Sequence, residues 1–230
     1  MSSGFQYPEV FARFYDVIYD QIRSETDHNY FLRKILAAKG PVLEVGVGTG
    51  RFFIDALSKG ADIYGIDISP SMIDVLKRKL TKKEHHRVSI QDVCKLKSDK
   101  KYNLIIAPFR VFMHLLTVEK QLEALEKVYT HLNSGGTFIF DLFVPNLAML
   151  AEGVYNMNDF DGEYEPGKRL QRFTSMTADP VNQISFITFT FVWQEGDEGI
   201  SHTWNTELRF FFRYELEHLL YRSKFNLLKS

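Results

Sequence analysis

Apolar positions come at helical spacing near the start of the chain and, from residue 41 onward, as short runs alternating with helical stretches. Phe11, Phe14, Tyr15, Ile18 and Tyr19 share one face, which predicts a helix or helical lid over 8–21. A second helix is expected from a cap at Asp27 to Lys39, with Phe31, Ile35, Leu36 and Ala38 on its apolar side and Gly40 as its stop. Strand 41–46 then leads to a helix over 51–58 that ends at Gly60. Strand 61–67 leads to a helix opened by Ser69-Pro70, with proline at its first position. Strands follow at 87–91 and 102–107, a helix at 118–132, a turn at Asn133-Ser-Gly-Gly and a fifth strand at 137–142. These strands are apolar on both faces and separated by helices, which predicts a mostly parallel sheet with helices on both sides.

After Pro145 the pattern changes. Residues 153–167 are rich in Gly, Asp, Glu and Asn and read as a loop. Three strands without intervening helices are expected at 168–178, 183–194 and 202–213, forming a small inserted antiparallel sheet. A last helix spans roughly 214–222, and Phe225-Asn-Leu-Leu reads as the start of a strand. The chain therefore divides into an α/β domain with an N-terminal helical lid (1–150), an antiparallel insertion over the site (151–213) and a return to the first domain (214–230).

Composition narrows the class. A chain of 230 residues, 45% hydrophobic and 14% aromatic, can bury one sizeable core. A formal charge of -1 gives no reason to expect nucleic acid or a membrane as partner. The basic residues Lys77, Arg78, Lys79, Lys82 and Lys83 lie on one helix and its end, and read as a solvated face. One cysteine, Cys94, leaves no intrachain disulfide and no cysteine-based zinc site, so no metal is expected. No apolar run nears the roughly 20 residues of a membrane span, and the first residues lack a signal-peptide pattern, so a cytoplasmic protein is expected.

The chemistry starts at residues 42–50, Val-Leu-Glu-Val-Gly-Val-Gly-Thr-Gly, where a buried strand runs into three alternating glycines and then a helix. Such a turn brings backbone and a helix N-terminus up to a ligand. A dinucleotide fingerprint would read G-x-G-x-x-G. Here the frame is Glu44-x-Gly46-x-Gly48-x-Gly50, which resembles motif I of the class I S-adenosylmethionine (SAM) methyltransferases. The resemblance continues through Asp67-Ile-Ser-Pro-Ser-Met72, Gln91-Asp92, the segment 102–109 and the segment 133–141, over residues 8–150. It implies a Rossmann-like fold and SAM as cofactor.

On that resemblance Glu44 meets the amino-acid end of SAM, or else caps backbone amides; the two roles can coexist. Gly46, Gly48 and Gly50 let the backbone approach the ligand. Asp67, at the end of the second strand, accepts from the ribose hydroxyls, a geometry shared with dinucleotide folds. Asp92 accepts from the adenine amino group and Val93 offers a backbone amide, or Asp92 is a plain turn acid. Ile68, Met72 and Phe109 sandwich the adenine or belong to the core, and Ala107 lines the cofactor from the end of the fourth strand.

Residues 168–213, Phe14-Tyr-Asp-Val-Ile-Tyr-Asp20 and Phe112-Met-His-Leu115 are similar to the glycine N-methyltransferase-like and sugar-amine N,N-dimethyltransferase-like branch. By that likeness Tyr19 and Tyr15 line the methyl end of the cofactor, with core packing the alternative for one of them. His114 faces the substrate, as a base or only as pocket wall. Arg110 departs from the glycine-type pattern, and it stands with Arg169, Arg172 and Arg213 as a candidate fork for a carboxylate, although arginines on such a sheet usually face solvent. By the same likeness a final antiparallel strand is expected after residue 225 and the sequence shows none; either the sequence is short there or the sheet edge is covered otherwise, for example by a partner chain in a homo-oligomer. The expected activity is methyl transfer to a small-molecule acceptor, at an amine nitrogen. Transfer to oxygen, or SAM binding without turnover, are the alternatives; a nicotinamide dehydrogenase is disfavoured by the glycine spacing and by Asp92.

Overall fold

The computed structural model describes residues 7–22 and 25–228. Helices α1 (Glu9–Ile22) and α2 (Glu25–Ala37) precede a regular alternation. It comprises β1 (Val42–Val45), α3 (Arg51–Ser58), β2 (Ile63–Asp67), α4 (Pro70–Lys79), β3 (Val88–Ile90), β4 (Tyr102–Ala107), α5 (Val118–His131) and β5 (Leu132–Phe140). These five strands form one parallel sheet in the order β3-β2-β1-β4-β5. The sheet is buried from both sides, as its apolar strands require. Phe31, Phe53, Ile73 and Leu76 from α2, α3 and α4 pack with Val42 and Ile106 on one face. Val128 of α5 packs with Leu43, Val45 and Ile105 on the other. Ser69 caps α4 by accepting from the Met72 N–H at 3.4 Å, with Pro70 behind it, as the sequence predicts.

The second half departs from expectation. After a short α6 (Leu147–Glu152), four strands form an antiparallel sheet in the order β6-β7-β8-β9. They are β6 (Val154–Glu165), β7 (Lys168–Asp179), β8 (Ile184–Glu195) and β9 (Glu198–Arg209), followed by α7 (Arg213–Tyr221). The stretch 153–167, read as a loop, is mostly β6. It is an edge strand with little buried surface, so polar residues suit it; Phe160 is its one fully buried side chain. A bulge lets Asp159 stand beside Phe160 without a partner of its own, since Asn158 pairs with Phe173 and Phe160 with Arg172. Residues 225–228 form no strand, and β9 ends at Arg209. The fifth parallel strand begins at Leu132, so the turn expected at Asn133-Ser-Gly-Gly is an irregularity within it.

The inner face of the antiparallel sheet supplies Leu170, Phe191 and Trp193, which pack on Phe11, Phe14 and Ile18 of α1; Met72 of α4 belongs to the same cluster. Helix α1 is thus held between the antiparallel sheet and the α/β layer. Among the described residues no helix is long and apolar enough to cross a membrane, and no group of three or more His, Cys, Asp or Glu is placed to hold a metal.

Candidate active site

In the strand order the chain reverses direction of growth between β1 and β4. Open α/β sheets bind ligands beyond the carboxyl ends of the strands at such a point. The three glycines stand there, with φ of 70° at Gly46, 55° at Gly48 and 94° at Gly50, all in the left-handed region. They are needed for different reasons. A Cβ on Gly46 would lie 2.3 Å from Val111 Cγ2, and one on Gly50 2.4 Å from Leu76 Cδ1. Those two glycines let neighbouring side chains close in. Around Gly48 the nearest atom is the Gly46 carbonyl oxygen at 4.0 Å, so its bare backbone faces open space. Gly50 caps α3 without a side-chain hydrogen bond, which leaves the first amides of that helix for a ligand.

Two acids serve this turn. Glu44 is 1% exposed in the middle of the sheet, and its Oε2 has no hydrogen-bond partner. Burial, and then the charge of Asp67, push its carboxyl well above the usual range. Asp67 accepts the Gly48 N–H through Oδ2 and the Ser69 N–H through Oδ1, both at 2.8 Å. Burial raises its pKa, and these backbone donors oppose the rise. Asp67 therefore ties the end of β2 to the glycine turn. Asp92 caps a single 3-10 turn, Val93–Lys95, by accepting the Cys94 N–H at 2.9 Å. Burial and Asp92 push the Cys94 thiol up to about 12, so it stays protonated at neutral pH.

The end of β4 is strained. Phe109 and Arg110, neither of them glycine, both hold positive φ, 59° and 65°. Asp141, just past β5, accepts the Arg110 N–H at 3.2 Å and helps to hold this turn. Arg110 itself is exposed, its guanidinium resting over the rings of Phe109 and Phe143. Ala107 is buried at the last position of β4, and Ile68 and Val93 are partly buried. Met72 is 1% exposed and packed within the α1 cluster, which makes it core.

Helix α1 crosses above. The Tyr19 ring stands edge-on to Phe109 at 5.5 Å and lies 4.6 Å from the Tyr15 ring. The Tyr7 hydroxyl is 3.1 Å from His114 Nε2, and the Tyr7 ring meets Phe11 and Trp204. Burial lowers the His114 pKa to about 4, so the ring is neutral at physiological pH. The structure thus brings Tyr15, Tyr19, Phe109 and His114 to one end of the sheet with the glycine turn.

The arginines separate. Arg169 pairs with Asp161 and Arg213 with Glu217 at the surface. Arg172, expected to face solvent, is 2% exposed. Its Nε and Nη2 bind the two oxygens of Asp159 at 2.9 and 2.8 Å, and its guanidinium lies over Tyr19 and Phe189. The bulge in β6 carries Asp159 to this position. Arg172→Met would leave the Asp159 carboxylate with Thr174 as its remaining side-chain donor. We expect a loss of about 3–5 kcal/mol, as for other buried pairs broken on one side, measured by denaturant titration.

Residues that sequence reading missed are Tyr7, Asp16, Thr49, Asp159, Asp141 and Trp204. For Asp16 and Thr49 the signal was present: a polar residue on an otherwise aromatic helix face, and a hydroxyl inside a glycine run.

Residues 42–136 match the methyltransferase domain family. That stretch, from β1 into β5, is similar to a methyltransferase domain. An uncharacterized methyltransferase of Bacillus thuringiensis (strain Al Hakam) is 31% identical over 135 residues, 59% of this chain and 56% of that protein. This chain thus matches a little over half the length of that curated relative. A SAM-dependent methyltransferase of Clostridium acetobutylicum superposes with a TM-score of 0.73 at 18% identity, over 96% of this chain and 88% of that one. A sugar N-methyltransferase from Streptoalloteichus superposes with a TM-score of 0.72 at 15% identity, over 90% and 83%. The fold is that of the SAM-dependent methyltransferases, and SAM is the cofactor it implies. The residues present suit it. The open face at Gly48 gives room for a ligand against bare backbone. The unpartnered Glu44 Oε2 is a buried acceptor awaiting a donor such as an ammonium group.

Proposed function

We propose that this protein transfers the methyl group of SAM to an amine nitrogen of a small molecule. The observation that carries the acceptor class is the uncharged His114, hydrogen-bonded to Tyr7 inside an aromatic enclosure next to the glycine turn. When bound, SAM supplies a methyl carbon activated by a positive sulfur. Glu44, Gly48 and Asp67 would hold it, with Asp92, Val93, Ile68 and Ala107 bordering its adenine end. Tyr15, Tyr19 and Phe109 would face its methyl end and exclude water, and aromatic faces favour a sulfonium. A dry aromatic pocket favours the neutral, nucleophilic form of an amine. His114 would orient that amine as a hydrogen-bond acceptor or donor, since a group with a pKa of about 4 is too weak a base to deprotonate an ammonium ion. Arg172 spends Nε and Nη2 on Asp159, which leaves its buried Nη1 as a single donor and not a two-pronged fork for a carboxylate. The likeness to a sugar N-methyltransferase supports the same reading.

The test is mass-spectrometric detection of methyl transfer across matched amines, alcohols and carboxylic acids, amino sugars included. N-methylated products support the proposal; O-methylated products alone, or SAM binding without any product, refute it. His114 also shapes stability. An unfolded histidine titrates near ~6.5, and the folded one near about 4. As pH falls through that window the unfolded chain takes up the proton first, so stability is full above it and declines toward its lower end. His114→Gln should flatten this decline in thermal melts.

A further inference from the structure

Three elements meet at Thr49, which is 1% exposed within the glycine turn. Its hydroxyl donates to Asp16 Oδ1 of α1 at 2.6 Å. Its carbonyl accepts from Lys79 Nζ, the last residue of α4, at 2.9 Å. Lys79 Nζ closes the ring on Asp16 Oδ2 at 2.6 Å. Other holds on α1 include apolar contacts of Phe11, Phe14 and Ile18, the surface pair of Arg13 with Glu195, and the Arg172 guanidinium and Phe109 ring against Tyr19. Apolar contacts bury the helix but fix its rotation poorly, because they are non-directional. A charged acceptor bonded to two donors is directional. Asp16 sits between Tyr15 and Tyr19 in sequence, so its rotational setting is theirs.

We propose that Asp16 is a positioning residue that couples the glycine turn to α1, so that cofactor on the turn orders the tyrosine-bearing helix. This rests on the turn being the SAM site. The coupling has a simple physical form. Left-handed turns of glycine have many alternative conformations, and a ligand that selects one of them fixes the Thr49 hydroxyl and carbonyl together. Asp16 then has one position in which both its oxygens are satisfied, and α1 is drawn to it. In the reverse direction, α1 seated by Asp16 preorganises the turn, and the two effects are equal by linkage.

The experiment is hydrogen exchange over residues 10–22 in the full chain, with and without saturating SAM, alongside calorimetry. The wild type should show slower exchange across α1 on binding SAM. Asp16→Asn keeps the side-chain shape and removes the charge; Thr49→Val removes the hydroxyl and keeps the carbonyl. Both variants should bind SAM about tenfold more weakly, as for loss of one charge-assisted hydrogen bond, and should lose the SAM-dependent slowing in α1. Thr49→Ser should restore it, which a general loss of packing would not do. If either folded variant binds SAM and slows exchange in α1 as the wild type does, the coupling is refuted while the cofactor site stands. If the folded wild type does not bind SAM, the cofactor site fails first and the coupling with it.

Discussion

Asp67→Ala should lower SAM affinity by about 100-fold, the upper range for hydrogen bonds that involve a charge. The size follows from two roles at one carboxylate. In the structure both oxygens are engaged by backbone, one by Gly48 and one by Ser69. Its removal frees the glycine turn from the end of β2 and, on the proposed mode of binding, deletes the acceptor for ribose hydroxyls. Asp67→Asn separates the two roles. The amide oxygen can still take one backbone N–H, so the turn is partly retained, while the charge that favours ribose is gone. Calorimetry should therefore rank affinity as wild type, then Asn, then Ala, with folded spectra for all three. Equal affinities would remove Asp67 from the site.

Glu44→Gln should raise stability and damage binding together. The Glu44 carboxyl is raised well above the ordinary value by burial. As pH climbs past the unfolded value of about 4.3, the unfolded chain releases this proton while the native state retains it. Native protein then holds more protons, so stability falls with rising pH until the native group ionises too. Glutamine has no proton to lose and removes this cost. We expect a gain at neutral pH that shrinks as pH falls toward the unfolded value, read as a higher melting temperature without ligand. The same change should weaken SAM by about tenfold, the scale of a lost charge-assisted bond. SAM should also displace a proton from Glu44 in the wild type, so the calorimetric heat should depend on the ionisation enthalpy of the buffer, and in Glu44→Gln it should not. A destabilised variant that binds SAM normally would overturn both expectations.

The first half of the fold was legible because its signals reinforce one another. Apolar strands, the Ser69-Pro70 helix start and the alternating glycines each limit the same βα units, and all five parallel strands were foreseen. In β6 the signals conflict. Its outward face is acidic and polar, it lies at an edge, and a bulge breaks the period that would have marked it. The same bulge hid the Arg172–Asp159 pair, since alternation says which face a side chain takes only where register is regular. That Glu44, the glycines and Asp67 meet at one turn could be read from spacing, because backbone geometry dictates their placement. Tyr7 beside His114 and Asp16 beside Thr49 join residues 107 and 33 positions apart, and no local pattern encodes such meetings. At Met72 the sequence leaves two readings open, adenine contact or core, and the side chain is buried in the cluster that includes Phe11, Phe14 and Ile18 of α1.

The central claim is that the turn at Gly46, Gly48 and Gly50 binds SAM. Its most direct test is isothermal titration of the folded wild-type chain with SAM, repeated with Asp67→Ala. One SAM bound per chain by the wild type, and severe weakening in the variant, is the predicted result. No heat and no rise in melting temperature at saturating SAM, or binding that Asp67→Ala leaves unchanged, would contradict it.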